Sequence, residues 1–406
     1  MNRSLVALAA ALFVLVGLVP IGLMLARIGT DDLALVVSAR TLTLLGRTLV
    51  VGGGAAGVAL AVGIPFGFLT ARTSLPGAGL LGALGVLPLL MPPLVMAMTI
   101  AVATGLRGGL AIVVILGLAT FPLVALYTAR ALRRIDGRML DAARLAGGLG
   151  AALRVQLPLV LPSALAAACF AFTLAINDFA VPDYVSSIGT KFPVYADEIF
   201  ASWRSDKDTG RAVALALPIV ALTLLALAPA VRLARTDARA LGGDFRAGER
   251  LELGVWRWPA LGFVLLVLFV AVGLPLGRLL WESGGGARGF ALGTMRAAFA
   301  RALELARANV QASLLYASTA ALLVAPLALV LGHALARARG AARAASFAVL
   351  LPISVPAILF GIGGIALWNR AWTAGIYDSG WMAIFLFVGR FAPLAVLALA
   401  GGAAML

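Results

Sequence analysis

DAARLAGGLGAALRVQLP, Asp141 to Pro158, sets one acid, two arginines, two adjacent alanines and a glycine doublet between two long apolar runs. The stretch and the residues before it are rich in helix formers, broken at Gly137 and again at Gly147 and Gly148. Glycine lets a chain reverse where a side chain would clash, so the sequence predicts short helices joined by a turn. The flanking arginines would hold such an element at a membrane interface. A surface helix with small residues at Ala142 and Ala143 suits a groove on a partner protein. A solvated basic loop that only satisfies the inside-positive bias is the plainer alternative.

The rest of the chain explains why this element stands out. Of 406 residues 62% are hydrophobic and only 12% charged, far from the composition of a soluble domain. The formal charge of +15 is carried by arginines scattered between apolar spans, a pattern that excludes a nucleic-acid surface. The single cysteine, Cys169, lies in an apolar run, which rules out a disulfide framework and a cysteine-based metal site. No cofactor, metal site or catalytic group is expected.

A helix needs roughly 20 apolar residues to cross the hydrocarbon core. Ten segments qualify, near 5–26, 47–70, 79–104, 109–129, 157–176, 212–233, 258–280, 312–335, 344–367 and 381–400. The first is basic at its start and long enough to remain as an uncleaved span. The third, with Pro88, Pro92 and Pro93, is expected to be broken or re-entrant. A cytoplasmic N-terminus places Arg72, the group from Arg130 to Arg154, the group from Arg232 to Arg257, and Arg337, Arg339 and Arg343 inside. Asp178, Asp183, Asp197, Glu198, Asp206 and Asp208 then face outward. Residues 282–308, an outer loop on this scheme, carry Arg288, Arg296, Arg301 and Arg307 and argue against it.

An internal repeat follows. Residues 48–72 match 313–337 at an offset of 265, with Leu49/Leu314, Gly67/Gly332 and a closing Ala-Arg pair in register. LPLLMPP at 87–93 is echoed by LPISVPA at 351–357, and FPL at 121–123 by FAPL at 391–394. Both copies run in the same membrane sense.

With the insert and the repeat in view, the chain resembles the permease subunits of ATP-binding-cassette importers that work with a substrate-binding protein. Their cytoplasmic loop carries Glu-Ala-Ala, a glycine four residues later, and an apolar-x-Leu-Pro ending. The matching residues are Asp141, Ala142, Ala143, Gly147, Val155, Leu157 and Pro158. Asp replaces the family's Glu, and the Gly147-to-Val155 spacing is two residues short. Fused halves in one chain resemble the ferric-iron, thiamine and phosphonate importers, and INDFAVPDYV at 176–185 most resembles the ferric-iron group.

This resemblance implies an all-α polytopic protein of a bacterial inner membrane, with a first permease half at 1–240, its coupling loop at 130–158, a cytoplasmic linker at 241–257 and a second half at 258–406. It also implies ATPase subunits on the cytoplasmic face and a soluble binding protein outside, the bilayer being the third partner. The chain has no GxxxxGK[ST] phosphate loop, so ATP hydrolysis is expected in those separate subunits. The second half stops short of a coupling loop of its own, so a fragment of a twelve-span protein is expected. Candidate pathway residues are Pro88, Pro92, Pro93, Pro352 and Pro356, whose broken helices could line a cavity or only kink a span. Asn177 and Asp178 either cap a helix or meet cargo. Arg390, mid-span, faces the bundle interior or snorkels. His333, near a span end, reads as structural. The rival class is an ion-gradient transporter, which uses acids buried in spans; none of the 17 Asp and Glu residues sits at a span centre.

Overall fold

The computed structural model describes residues 3–206, 209–237, 248–286, 289–337 and 348–403. Lys207, Asp208, Arg239, Arg246, Arg288, Arg339, Arg343 and linker residues 241–247 lie outside them. Among the described residues the chain is all-α apart from a two-residue antiparallel pairing of Gly285–Gly286 with Gly289–Phe290. Seven helices are long and apolar enough to cross a membrane, and three bent helix pairs bring the number to ten, one for each apolar run in the sequence.

The elements used below are α1 (Arg3–Leu25), α2 (Ala39–Arg72), α3 (Ala78–Leu90), α4 (Pro93–Thr104), α5 (Gly108–Arg133), α6 (Gly137–Asn177), α7 (Ala180–Ile188), α8 (Tyr195–Asp206), α9 (Thr209–Asp237), α10 (Gly254–Gly284), α11 (Leu292–Ala336), α12 (Ala348–Ser354), α13 (Ala357–Trp368) and α14 (Trp381–Ala403). The reading of 282–308 as a loop needs correction, because α11 begins at Leu292. Its 45 residues would extend about 67 Å, twice the hydrocarbon thickness. The segment MRAAFARALELARA combines strong helix formers with exposed charge, so it is helical without being apolar enough to span.

Two compact units form, and they do not follow the chain in order. One comprises residues 1–45, 198–224 and 297–406; the other comprises 46–197 and 225–296. Within the first unit, α1 packs on α13 and α14, far from its neighbours in sequence. Within the second, α10 packs on α3 and α4. The first span therefore docks on the second broken helix, and α10 docks on the first.

The two exchanged spans share a local device. Each widens into one π-turn, Val14–Leu18 in α1 and Phe269–Gly273 in α10, offset by 255 residues. Each turn is followed by a proline, Pro20 or Pro275, whose ring would clash with the carbonyl four residues earlier. Those carbonyls belong to Val16 and Ala271, inside the π-turns, and the wider winding relieves the clash. Close approach does the rest: Cβ atoms at Gly363 and Gly389 would strike the backbone carbonyls of Pro20 and Val16. In the other unit α2 meets α5 through Gly63 and Gly67, a small-xxx-small pair against Phe121 to Ala125.

Local contacts in this second unit agree with the topology read from charge. Thr73 bridges to Leu251, the Leu251 amide donates to Arg72 O at 2.8 Å, and the Ser74 amide donates to Leu251 O at 3.0 Å, which joins two segments assigned to the cytoplasmic side. Outward segments join likewise. The Tyr195 amide donates to Thr48 Oγ1 at 2.9 Å, Arg47 lies 5.4 Å over the Phe192 ring, and the Arg107 side chain covers Gly189.

Candidate functional site

The polar insert is built on the end of α5. Asp136 turns the chain, its carboxylate accepting from the Arg138 amide at 2.9 Å, and α6 starts at Gly137. On the first turns of α6, Asp141 and Arg144 pair at 3.7 Å. Arg72, at the end of α2, is buried beneath them, within electrostatic range of both, and its Nη1 donates to Gly248 O at 3.0 Å. Arg72 thus ties the α2 end to the stretch before α10 beneath the insert, where Arg144 repels it and Asp141 attracts it. Arg72 was not singled out in the sequence, where it reads as one more inside arginine.

The helix breaks where the glycines predict. Gly147 has φ −166° and ψ 26°, and Gly148 has φ +66° and ψ −155°. The second geometry is open only to glycine, so the conformational demand falls on Gly148, whereas the motif comparison singles out Gly147. Beyond the break no separate second short helix forms. The chain runs straight into the span Gly150–Asn177, carrying Val155, Leu157 and Pro158 on it, a difference that accords with the shortened spacing. Asp141, Ala143 and Val155 are half-buried, and Ala142, Gly147, Leu157 and Pro158 are exposed. Leu145 projects with 90% of its surface exposed, on an element the charge pattern puts in water. Among the described residues Leu145 is the most exposed leucine of the insert, beside the glycine reversal and little covered by them.

The second constellation is a pair of broken helices. The α3–α4 pair bends by 100° and the α12–α13 pair by 110°. The joints match torsion by torsion: Met91 has φ −85° and ψ 133° and Val355 has φ −80° and ψ 132°, each followed by a proline, Pro92 or Pro356, that caps the next helix. Pro88 and Pro352 sit buried just before the bends, in the segments Leu87–Leu90 of α3 and Leu351–Ser354 of α12, and Pro93 opens α4. Proline fixes φ and biases the preceding residue to extended backbone, which is why Met91 and Val355 leave the helix.

At the second joint, Arg390 of α14 donates from Nη1 to Val355 O at 2.7 Å and to Pro352 O at 3.4 Å. Its head is directed at the break. At the outer end of α6, Asn177 Nδ2 donates to Thr173 O at 2.9 Å. Asp178 Oδ1 accepts from the Val181 amide at 2.9 Å and so holds the start of α7, the capping role; burial pushes its carboxyl above the usual range, against the pull of the Val181 and Ala180 amides. His333 lines a cavity of about 460 Å³ with Arg3 and Arg337. The structure brings Pro352, Pro356 and Arg390 together, and keeps Pro88, Pro92 and Pro93 at the matching joint of the other unit.

Two curated relatives bear on these elements. The molybdenum transport system permease proteins ModB of Escherichia coli strain K12 and of Escherichia coli O157:H7 are each 26% identical to the chain over 203 residues, 45% of this chain and 89% of theirs. The matched family is described as binding-protein-dependent transport system inner membrane component, and its match runs over residues 63–236, from α2 through the polar insert to α9. Through that segment the chain is similar to the inner membrane components of binding-protein-dependent transport systems, which are transport proteins and not enzymes.

Proposed function

We propose that this chain is the multi-pass permease subunit of an ATP-driven, binding-protein-dependent importer in a bacterial inner membrane. Asp141, Ala142, Ala143, Gly147, Val155, Leu157 and Pro158 form its ATPase-coupling element. The observation that carries this reading is the glycine-reversed helix at Gly137–Ala146, presenting an exposed Leu145 within the family-matched segment. Closure of ATPase subunits around ATP would push this helix, and its direct continuation into the span Gly150–Asn177 would carry the push into the membrane.

The matched joints and exchanged first spans support reading 1–240 and 258–406 as two permease halves around a 241–257 linker. Pro88, Pro92, Pro93, Asn177, Asp178, Pro352, Pro356 and Arg390 are the proposed pathway set. A photoreactive side chain at position 145 tests the coupling site: a cross-link to an ATP-binding-cassette ATPase subunit in native membranes is expected, with none from position 42, exposed near the start of α2. Absence of that adduct at position 145 refutes the coupling assignment. A substrate-binding protein is the expected outer partner.

Two cargo readings each have an observation behind them. INDFAVPDYV supports ferric iron, and the relatives are named for molybdenum, whose soluble form is an oxyanion. Uptake of radioactive iron and of molybdate by cells with and without the chain separates them.

A further inference from the structure

A charge held at mid-span is costly and marks function by default, with its partner to be named. Arg390 is such a charge, and among the described residues no carboxylate lies within salt-bridge distance of it. Its Nη1 serves both joint carbonyls, of Val355 and Pro352. The other edge of the guanidinium, Nε and Nη2, has no hydrogen-bond partner among the described residues. It is also missing from the buried unpartnered atoms, unlike the same atoms of Arg72, so this edge opens on accessible space. A guanidinium edge cannot face lipid cheaply, which leaves a water-filled or cargo-filled space.

That edge carries two parallel N–H groups, the geometry that takes an oxyanion bidentately. The other sequence half provides a comparison. At the position aligned by FPL and FAPL, Arg390 is replaced by Thr120, whose hydroxyl donates to Leu116 O of its own helix at 2.7 Å. The two joints share their torsions, so the arginine is not needed to make the joint. We propose that Arg390 contacts the oxyanion group of a passing anionic cargo, its Nη1 holding the α12–α13 joint while its Nε–Nη2 edge receives the anion. This rests on the importer reading and deepens it: the cargo is a metal oxyanion or an anionic metal chelate, and a bare ferric cation is repelled.

The test begins with the purified full chain in lipid nanodiscs, so that it does not depend on any ATPase. Thermal unfolding is followed against molybdate, sulfate and ferric citrate, with chloride at equal ionic strength as the blank. Molybdate or ferric citrate should raise the midpoint of the wild type, and the one that does names the source of the oxyanion group. Arg390→Lys keeps the charge and can keep the Val355 bond but loses the two-nitrogen edge. Its apparent affinity should fall about ten- to a hundredfold, the loss of a charged hydrogen bond; Arg390→Gln should abolish protection. Equal protection of wild type and Arg390→Lys, or no protection of the wild type beyond chloride, overturns the proposal. If Arg390→Gln does not fold, the lysine variant alone decides. Failure of the importer reading would show separately, as a chain that binds oxyanion through Arg390 but never associates with an ATPase subunit.

Discussion

Gly148→Ala is the sharpest perturbation of the coupling element. The residue sits at φ +66° and ψ −155°, a region that costs a side-chain-bearing residue about 1–3 kcal/mol. No atom lies within 4 Å of a Cβ built there, so backbone strain alone is measured. At about 1.4 kcal/mol per factor of ten, the native turn becomes roughly five- to 150-fold less populated relative to relaxed alternatives. An ATPase that binds only the native turn loses affinity by up to that factor, the full loss appearing once the relaxed turns predominate. Two neighbours calibrate the effect. Gly147 is extended, which any residue tolerates, and its Cβ would stand 2.9 Å from the Ala151 methyl, a local clash only. Gly150 has open space, so Gly150→Ala should be neutral or better. The assay is ATPase-subunit affinity for the permease in nanodiscs, with uptake per ATP hydrolysed. The expected order of damage is Gly148, then Gly147, then Gly150. If Gly148→Ala matches Gly150→Ala in both readouts, the reversed turn is not what the ATPase recognises.

Leu145→Glu should leave thermal stability within about 0.5 kcal/mol, because the side chain is 90% exposed, yet weaken ATPase binding by about 2 kcal/mol if Leu145 is the anchor. Gly67→Ala places a Cβ against Ala125 O and 3.0 Å from its Cα, backbone that cannot turn away, whereas Gly57 on the same helix has nothing within 4 Å. Subtracting the Gly57→Ala effect removes the helix-propensity gain, and unfolding in detergent should then show a residual cost of about 1–3 kcal/mol at Gly67; a difference near zero refutes the close α2–α5 packing. Asp178 has a raised carboxyl pKa, so its contribution is greatest in acid and is lost as pH rises through the folded value. Asp178→Asn keeps an acceptor for the Val181 amide and should therefore be more stable than wild type at neutral pH, the gap closing on acidification; a gap that widens in acid contradicts the burial argument.

Hydropathy placed all ten spans because a membrane crossing is a length condition on one segment, met or failed locally. The broken third span and the reversal near Gly147 were legible for the same reason, since proline and glycine act on their own torsions. What hydropathy merged was 292–308 into an outer loop, because charge on a helix outside the bilayer looks like charge on a loop. The motif comparison put the special glycine one residue early, as a spacing rule does not encode φ.

The sequence by itself determined the all-α polytopic class, the proline breaks at Pro92 and Pro356 and the polar insert, all properties of the chain within a few turns of each residue. Only the tertiary structure decided which span lies on which. Nothing in the apolar pattern of α1 distinguishes α2 from α13 as its neighbour, since hydrocarbon surfaces are alike to hydropathy; the choice is made by Gly363 and Gly389 admitting the Pro20 and Val16 backbone. The same holds for Arg390. Its charge was visible, but its partners stand 35 and 38 residues away, and folding alone set its Nη1 on the joint and left the opposite edge open.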